Sequence, residues 1–375
     1  MAGKNLKIAM FGHKRIPSRE GGVEIVVEEL ATRMVGRDNA VVVYNRRGHN
    51  VAGKEFDNEK TKEYRGVRIK SVPTLEKRGL AALTASFFGA LCSAFGRYDV
   101  VHIHAEGPAF FSFLPHFFGK RVVVTIHGLD WKRAKWQGGF GSRFIKAGER
   151  NAVKYADEII VLSKEVQGYF LKEYGRETSF IPNGINKSKK REPEKITEKW
   201  GLEKDGYILY LGRIVPEKGE HYLVKAFHGL ETNKKLVIAG GVSDTDEYYE
   251  KLKAMADENV IFTGFVQSTI LEELYSNAYV YVLPSELEGM PLSLLEAMSY
   301  GNCCLTSDIP ECTEVVEDKA VTFKKSDVED LRRKLEELLE NPEKVQKYKN
   351  QAAEFVCKKY DWNVTVEKTL KLYGE

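Results

Sequence analysis

The chain has 375 residues, is 43% hydrophobic and 30% charged, and is long enough for two globular domains. Its 57 basic and 54 acidic residues leave a net charge of +3, so nucleic acid is not indicated as a partner. The five cysteines have no spacing typical of a disulfide framework or a zinc site, which favours a reducing cytoplasm. A strand is predicted almost at the N-terminus, so we expect no signal peptide.

The chain opens with a predicted strand, a long basic loop over residues 13–22 and an amphipathic helix. This order is typical of the ligand-facing start of a Rossmann-like unit. The loop does not match the G-x-G-x-x-G pattern, so NAD binding is not supported. It carries Arg15 and Arg19 and closes with Gly21 and Gly22, which either face a ligand or only allow a tight entry into the helix.

Strands and helices then alternate, and apolar runs predict strands at residues 41–44, 100–104, 121–126 and 158–162. Because these runs are apolar almost throughout, they favour a parallel sheet covered on both faces. Ligands of such sheets bind beyond the carboxyl ends of the strands, where His104 and His127 lie. His127 begins a loop that contains Asp130 and Trp131 and is the stronger candidate, whereas His104 is expected only to brace the sheet.

An uncharged segment, residues 80–96, is too short and too often interrupted by polar residues to span a membrane. A buried helix is the favoured interpretation, and a helix in contact with a membrane surface is the alternative. Phenylalanines follow at positions 110, 111, 113, 117 and 118, and the flanking cations are Arg78, Arg97, Lys120 and Arg121. The alternative therefore predicts salt-sensitive binding to anionic membranes.

A charged stretch with few apolar residues is predicted to link two domains. We expect the first domain to comprise residues 1–186 and the second residues 187–360, with a last helix over 361–375. After the first strand of the second domain, one loop carries Arg213 and Lys218. A guanidinium forks onto phosphate oxygens and an ammonium acts as a point charge, so this pair is suited to hold a diphosphate without a metal ion. A solvated basic loop is the plain alternative.

A later apolar strand runs into a loop that contains Glu288 and Gly289, and a helix is predicted to follow. Pro291 suits the first turn of that helix, and Glu296 lies within it. Glycine allows a ligand close to the backbone, and the first amides of a helix favour a phosphate or an electron-rich hydroxyl. The two carboxylates are therefore placed to hold two parts of one extended ligand, although glutamates near a helix start often only complement its dipole.

The spacing of Glu288 and Glu296, with seven residues between them, resembles the motif of retaining glycosyltransferases of family 4, which have the GT-B fold. The Arg213 and Lys218 loop resembles the Gly-Arg…Lys-Gly motif of the same family. The resemblance covers essentially the full chain. The loop over residues 13–22 and the segment over 127–131 are similar to a subgroup of bacterial polysaccharide enzymes that includes rhamnosyltransferases.

This resemblance implies an α/β fold of the GT-B type, with two tandem Rossmann-like domains, a cleft between them and a C-terminal helix that crosses back to the first domain. It implies catalytic roles for Glu288, His127, Arg213 and Lys218. The implied donor-binding residues are Gly21, Gly22, Arg213, Lys218, Val266, Glu288, Gly289, Met290, Pro291, Leu292 and Glu296. The implied acceptor-binding residues are Arg15, Arg19, Asp130 and Trp131.

The expected reaction moves a sugar from a nucleoside diphosphate sugar, preferably linked to UDP or dTDP, to a saccharide hydroxyl with retention of configuration. No cofactor or metal is expected, because the Asp-x-Asp spacing of Asp244 and Asp246 lies in a polar run before a helix. A lipid-linked acceptor and peripheral contact with the inner face of the plasma membrane are also expected. Two alternatives stay open: a sugar-nucleotide epimerase of the same architecture, and a catalytically silent sugar-nucleotide-binding subunit.

Overall fold

The structure, a computed structural model, describes residues 5–49, 53, 61–77, 79–132, 139–242 and 245–374. The chain divides into two compact units, Met1–Gly184 with Trp362–Glu375, and Ile185–Asp361. We call them unit 1 and unit 2. The sequence-based boundaries were drawn after residues 186 and 360. Arg78 and Asp244, named above, lie outside the described residues.

Unit 1 is built on an eight-stranded sheet whose strands are ordered β3-β4-β2-β1-β5-β6-β7-β8. The strands are Lys7–Phe11 (β1), Ala40–Arg46 (β2), Glu63–Tyr64 (β3), Val67–Val72 (β4), Val100–His104 (β5), Arg121–Ile126 (β6), Glu158–Val161 (β7) and Ser179–Phe180 (β8). Neighbouring strands pair in parallel except for β3 with β4, which form an antiparallel hairpin. All of β5 is buried, as its apolar sequence predicts for a strand covered on both faces.

Helices of unit 1 follow the strands and cover the sheet. They are Gly22–Val35 (α1), Leu80–Phe95 (α2), Glu106–Ala109 (α3), Phe113–Phe117 (α4), Phe140–Tyr155 (α5) and Lys164–Tyr174 (α6). In α1, Val26, Leu30 and Met34 recur every four residues and are buried, so they form the face turned to the core. The uncharged α2 instead buries small residues such as Ala85, Ala90 and Ala94.

Unit 2 has a six-stranded sheet ordered β11-β10-β9-β12-β13-β14, with parallel pairs throughout the described strands. The strands are Tyr207–Leu211 (β9), Lys235–Ala239 (β10), Val260–Gly264 (β11), Val280–Leu283 (β12), Cys303–Ser307 (β13) and Val321–Phe323 (β14). The helices are Lys195–Trp200 (α7), Glu220–Phe227 (α8), Asp246–Ala254 (α9), Ser268–Asn277 (α10), Leu292–Ser299 (α11), Pro310–Val316 (α12), Val328–Glu340 (α13) and Pro342–Lys359 (α14). This order is that of a Rossmann-type sheet.

The last helix, Trp362–Gly374 (α15), belongs to unit 1 and packs against α1. Trp362 and Tyr373 are buried along it. The Tyr373 hydroxyl is 2.6 Å from His102 Nδ1, and Arg121 donates to the carbonyl of Leu372 at 2.8 Å. The helix thus returns to the first unit, as the family resemblance implied.

Four strands, β3, β4, β8 and β14, were not predicted. In β4 only Val67, Ile69 and Val72 are buried, and charged residues alternate with them. A strand with one solvated face has no continuous apolar run, so a search for such runs misses it.

Candidate functional site

The strand order locates the ligand-binding edge of unit 2. Chain connections turn in opposite directions on the two sides of the β9–β12 pair, and ligands of such sheets bind beyond the carboxyl ends of the strands at that point. Two loops meet this requirement. The first follows β9 over residues 212–219 and the second follows β12 over residues 284–291, and we call them the donor loop and the glutamate loop.

Gly219 lies where the donor loop packs against the glutamate loop. It has φ of 73°, a conformation that glycine adopts at little cost, and a Cβ at this position would clash with the carbonyl oxygen of Pro284. The amide of Glu286 donates to the carbonyl of Glu217 at 2.9 Å. Glycine is therefore needed at position 219 for the close packing of the donor loop against the glutamate loop.

The packing brings two of the predicted site residues together. The Lys218 ammonium forms an ion pair with Glu288 Oε1, and the Ser285 hydroxyl donates to the same oxygen at 2.7 Å. The Glu288 side chain is 7% exposed and that of Lys218 is 15% exposed. Partial burial strengthens a charge-assisted contact of this kind, so both groups are held in fixed positions at the sheet edge.

The glutamate loop continues into α11 through Gly289, Met290 and Pro291, and the helix begins at Leu292. In this part of the described chain no side chain caps the helix, and its first turn carries no acidic residue. Its start therefore has the partial positive charge that favours an anion. Glu296 lies one turn further on and accepts a hydrogen bond from the Tyr275 hydroxyl at 3.3 Å.

The remaining predicted residues of unit 2 also follow strands. Arg213 lies just beyond β9, and its carbonyl accepts a hydrogen bond from Tyr210 at 2.9 Å. Val266 is buried and lies two residues beyond β11, which is separated from β9 by β10. Arg213 thus stands beside the strand pair that defines the ligand-binding edge, and Val266 is further along the sheet.

Sequence reasoning missed three polar residues of this edge. Ser285 supports Glu288, and Glu286 accepts hydrogen bonds from Tyr222 at 2.5 Å and Ser326 at 2.8 Å. Glu220, directly after the donor loop, is completely buried. An acidic residue next to Lys218 and Gly219 was visible in the sequence, but nothing local indicated its burial.

In unit 1 the corresponding edge lies beyond β1 and β5. Gly12 has φ of 111°, and a Cβ there would clash with the carbonyl of His104, so the two strand ends are in close contact. His104 Nδ1 is 3.1 Å from His127 Nε2. His104 was expected only to brace the sheet; it is indeed buried, but it also contacts the predicted catalytic histidine.

His13, His102 and His104 are neutral because they are buried. Desolvation lowers the pKa of His13 to about 4 and that of His102 to about 3, and lowers the pKa of His104 well below its usual value. His13 Nε2 is 2.9 Å from Asn45 Oδ1, which also accepts from the Ile16 amide at 3.2 Å. His13 therefore carries its hydrogen on Nε2, and it contributes no positive charge to the basic loop.

Arg15, in the loop over residues 13–22, is bound by groups of unit 1. Arg15 donates to the carbonyls of Gly48 at 2.8 Å and His49 at 2.6 Å, and its Nε lies 3.0 Å from Glu20. Arg19 is exposed. Gly22 is the first residue of α1 and Gly21 precedes it, at the positive end of that helix.

Asp130 and Trp131 lie on a short 3-10 turn that is anchored by residues of α3 and α5. The Asp130 amide donates to Glu106 at 2.7 Å, and the Lys146 ammonium lies 3.8 Å from the centre of the Trp131 ring. Glu149 is buried and accepts from Tyr169 at 2.7 Å and from Tyr174. Glu106 is also buried, and sequence reasoning missed both glutamates.

The pKa of Glu106 lies well above its usual value. Desolvation is the largest cause, followed by the charge of Asp130 and by the hydrogen bond and charge of Glu149. A raised pKa keeps Glu106 protonated where an exposed carboxyl would ionise. The turn with Asp130 and Trp131 therefore rests on a neutral acid rather than on a second negative charge.

The phenylalanines named above, with Phe95 at the end of α2, differ in their exposure. Phe111 is buried in the hydrophobic core, and Phe110 and Phe113 pack against it. This agrees with the favoured interpretation of burial and contradicts the membrane-surface alternative for Phe110 and Phe111. Phe95, Phe117 and Phe118 are 68%, 70% and 48% exposed, and we call them the aromatic patch. Rings of Phe95 and Phe118 are 4.5 Å apart. Among the described residues, no helix is long and apolar enough to cross a membrane.

These features define an α/β protein of two Rossmann-like units whose second unit presents a cation and a carboxylate where such sheets bind ligands. Residues 20–189 match the family model described as Glycosyltransferase Family 4, and residues 192–355 match the model described as Glycosyl transferases group 1. The two models match consecutive parts of the chain, and together with the fold they support its assignment to the family 4 glycosyltransferases of the GT-B fold.

Individual relatives agree with this assignment. Alpha-maltose-1-phosphate synthase of Mycolicibacterium smegmatis is 28% identical over 68% of this chain and 73% of the relative. The structure of sucrose-phosphate synthase from Thermosynechococcus elongatus has a TM-score of 0.84 at 20% identity, over 98% of both chains. Anabaena HepE in complex with UDP and glucose has a TM-score of 0.81 at 16% identity, again over 98% of both chains. At these identities the solved structures show the fold.

Proposed function

We propose that the chain transfers a hexosyl group from a UDP- or dTDP-linked sugar to a saccharide hydroxyl, with retention of anomeric configuration and without a metal ion. The observation that carries the proposal is the ion pair of Lys218 with Glu288 at the junction of the donor and glutamate loops. A single site thus offers a cation for the diphosphate and a carboxylate for the sugar. HepE, which has the same fold, was solved with UDP and glucose, and this supports a uridine nucleotide as the ligand.

Charge explains how these residues act. The leaving nucleoside diphosphate becomes more negative as the glycosidic bond breaks, and Arg213, Lys218 and the first amides of α11 meet that charge. Glu288 faces the transferred sugar and favours an oxocarbenium-like centre. Glu296, oriented by Tyr275, holds the ribose hydroxyls, and His127 orients a hydroxyl of the sugar. Retention then follows from attack on the same face, with the leaving phosphate accepting the proton of the acceptor.

Metal independence follows from the same groups, because two cations of the donor loop do the work that a divalent ion does elsewhere. Within the described ranges, no group of three or more His, Cys, Asp or Glu side chains is placed to hold a metal ion. Asp246 begins α9, and its partner in the Asp-x-Asp spacing lies outside the described residues.

For the acceptor we propose a saccharide of a surface polysaccharide or glycolipid, of the kind used by rhamnosyltransferase-like enzymes, held by Arg15, Arg19, Asp130 and Trp131. A lipid-linked acceptor fits the aromatic patch, which has the exposed cations Arg97 and Lys154 nearby in chain or space. Rings that enter the headgroup region together with basic side chains give peripheral binding to an anionic membrane at the cytoplasmic face.

The aromatic patch lies at the opposite edge of the sheet from the predicted acceptor residues. Phe95 ends α2 just before β5 begins, and Phe117 and Phe118 stand just before β6 begins. Those strand starts are separated from the carboxyl edge by five or six residues, or about 17–20 Å. Membrane contact through the patch therefore requires an acceptor that extends this far from the lipid surface.

A two-stage experiment tests the proposal. Thermal unfolding is measured with UDP, dTDP, GDP and ADP, and a nucleotide that binds the native state raises the midpoint. The matching nucleotide sugars are then incubated with and without saccharide acceptors, and the product linkage is read by NMR. Transfer with an inverted linkage overturns retention, and an epimerised sugar nucleotide formed from donor alone identifies an epimerase. Tight nucleotide binding without turnover of any donor identifies a silent binding subunit.

A further inference from the structure

A completely buried carboxylate lies next to the donor loop. Glu220 is the first residue of α8 and directly follows that loop. Its Oε1 accepts from the Tyr210 hydroxyl at 2.8 Å and from the Val215 amide at 3.3 Å, and its Oε2 accepts from the Tyr248 hydroxyl at 3.0 Å. Glutamate is almost never fully buried unless it is paired. The proposed transfer reaction makes no direct use of Glu220, so its burial needs another explanation.

Tyr210 connects Glu220 to Arg213. Its single hydroxyl hydrogen has two acceptors within reach, Glu220 Oε1 at 2.8 Å and the Arg213 carbonyl at 2.9 Å. When Glu220 is protonated, its O–H can donate to the Tyr210 oxygen, and the Tyr210 hydrogen remains with the Arg213 carbonyl. When Glu220 is ionised, the carboxylate competes for that hydrogen, and a charged acceptor wins over a neutral carbonyl.

We propose that Glu220 is a positioning residue: in its protonated form it leaves Tyr210 bound to the Arg213 carbonyl and so keeps the donor loop in the form that binds a nucleoside diphosphate. The inference rests on the proposed function, since it takes a diphosphate as the ligand of this loop. Ionisation of Glu220 weakens diphosphate binding in two ways. It releases the Arg213 carbonyl from Tyr210, and it places a negative charge next to the donor loop.

Glu220 titrates near neutrality. Desolvation is the largest cause and raises its pKa to about 7, although hydrogen bonds from its own amide, Tyr210, Tyr248 and the Val215 amide lower it. Burial raises the pKa of both tyrosines, so these partners stay neutral hydroxyls. His221, whose Nδ1 is 2.9 Å from the Tyr248 hydroxyl, has its pKa lowered by burial, which favours the neutral ring.

The test compares the protein with its Glu220→Gln variant, which has the size and the neutral charge of the protonated acid. UDP binding is measured by calorimetry between pH 6 and pH 8.5. The phosphate of UDP also titrates, but it does so equally in both proteins and cancels in the ratio of their dissociation constants. We expect the affinity of the unmodified protein relative to the variant to fall on the order of 5–10-fold across this range.

Tyr248→Phe provides an independent signature. The variant removes one hydrogen bond that lowers the pKa of Glu220 and leaves Tyr210 and Arg213 in place. The midpoint of the pH-dependent loss of affinity should therefore move to higher pH. A purely structural role of Glu220 predicts weaker binding in the variants with no change in the pH profile, so a constant ratio across pH or an unmoved midpoint overturns the inference.

Hydrogen exchange of residues 213–219 gives a readout without ligand. Exchange rates in the protein and in Glu220→Gln are compared at the same pH, so the intrinsic effect of hydroxide cancels. The exchange rate of the unmodified protein divided by that of the variant should rise between pH 6 and pH 8.5. Protection of the amides of β9 and β10 confirms that the variant is folded. If the ratio stays constant, the inference is wrong whether or not UDP binds; if it rises but none of UDP, dTDP, GDP and ADP binds, the inference about the loop holds and the proposed function fails.

Discussion

Charged groups are arranged in opposite ways at the ligand-binding edges of the two units. In unit 2, Lys218 and Glu288 are ion-paired at the junction of two loops. In unit 1, burial lowers the pKa of His13 and His104 and raises that of Glu106, so these three side chains are neutral. The difference teaches that the ion pair of unit 2 is suited to meet a charge, whereas the buried histidines and Glu106 of unit 1 offer neutral hydrogen-bonding groups in fixed positions.

The largest effect is expected where this comparison depends on one carboxylate. Glu288→Gln keeps the size of the side chain but removes the charge that faces the transferred sugar. Turnover should fall by roughly 10²-fold or more, the scale of one lost electrostatic contact in a transition state, while the fold is retained. Steady-state rates with saturating donor and circular dichroism measure the two quantities.

Glu286→Gln is the matched control, since Glu286 lies in the same loop but its side chain is bound by Tyr222 and Ser326. Its turnover should stay within about threefold of the original protein. Equal losses in the two variants, or near-normal turnover in Glu288→Gln, would remove Glu288 from the catalytic residues.

Unit 1 is expected to respond to acid. Because the pKa of His13 falls from 6.5 to about 4 on folding, the folded state binds fewer protons than the unfolded chain between these values. The contribution of neutral His13 is complete above pH 6.5 and is lost as the pH falls towards 4, which amounts to roughly 3 kcal/mol. Denaturant unfolding at pH 7 and pH 4.5 should show a smaller loss in His13→Gln. An equal loss of stability in the two proteins would show that folding does not lower the pKa of His13.

The cations of unit 2 should determine nucleotide affinity. Lys218→Ala and Arg213→Ala should each weaken binding of a nucleoside diphosphate by about 1.5–3 kcal/mol, the range of hydrogen bonds to charged groups. Lys225→Ala, which removes an exposed cation of α8, is the control and should bind normally. Activity should persist in EDTA. An absolute requirement for Mg²⁺ or Mn²⁺ would contradict the proposal that these two side chains replace a metal.

The smallest effect concerns the aromatic patch. Phe117→Ser should weaken binding to anionic vesicles by about 1 kcal/mol, or roughly fivefold, because an interfacial ring is only partly removed from water. Leu171→Ser is the control, since Leu171 is 55% exposed on α6 and outside the patch. Cosedimentation with anionic vesicles at low and high salt measures the binding of both variants. If the unmodified protein does not cosediment with anionic vesicles at low salt, the proposed peripheral membrane contact is wrong.

The sequence located those candidate site residues whose positions depend on neighbouring residues. Glu288 and Glu296 are tied to one strand, loop and helix, and Arg213 and Lys218 to another, so strand ends and helix starts sufficed to place them. The return of α15 to unit 1 was expected from the family resemblance rather than from any local pattern.

Other features depend on contacts between distant positions and could not be predicted in this way. The burial of Glu220 requires Tyr248, and the anchoring of Asp130 requires Glu106 and Glu149, which lie in separate helices. The choice between core and surface for Phe110 and Phe111 was left open for the same reason, because a run of aromatic residues does not reveal which rings face the sheet.

Gly219 couples the donor loop to the glutamate loop, although the two loops are far apart in the sequence. Any side chain at this position would clash with the carbonyl of Pro284, 65 positions away in the numbering, so neither loop can change its course without the other. Natural variants of this enzyme that replace the glycine should therefore carry compensating changes around residue 284. Random mutagenesis of either loop alone should yield few active clones, whereas an exchange of both loops between relatives should be tolerated.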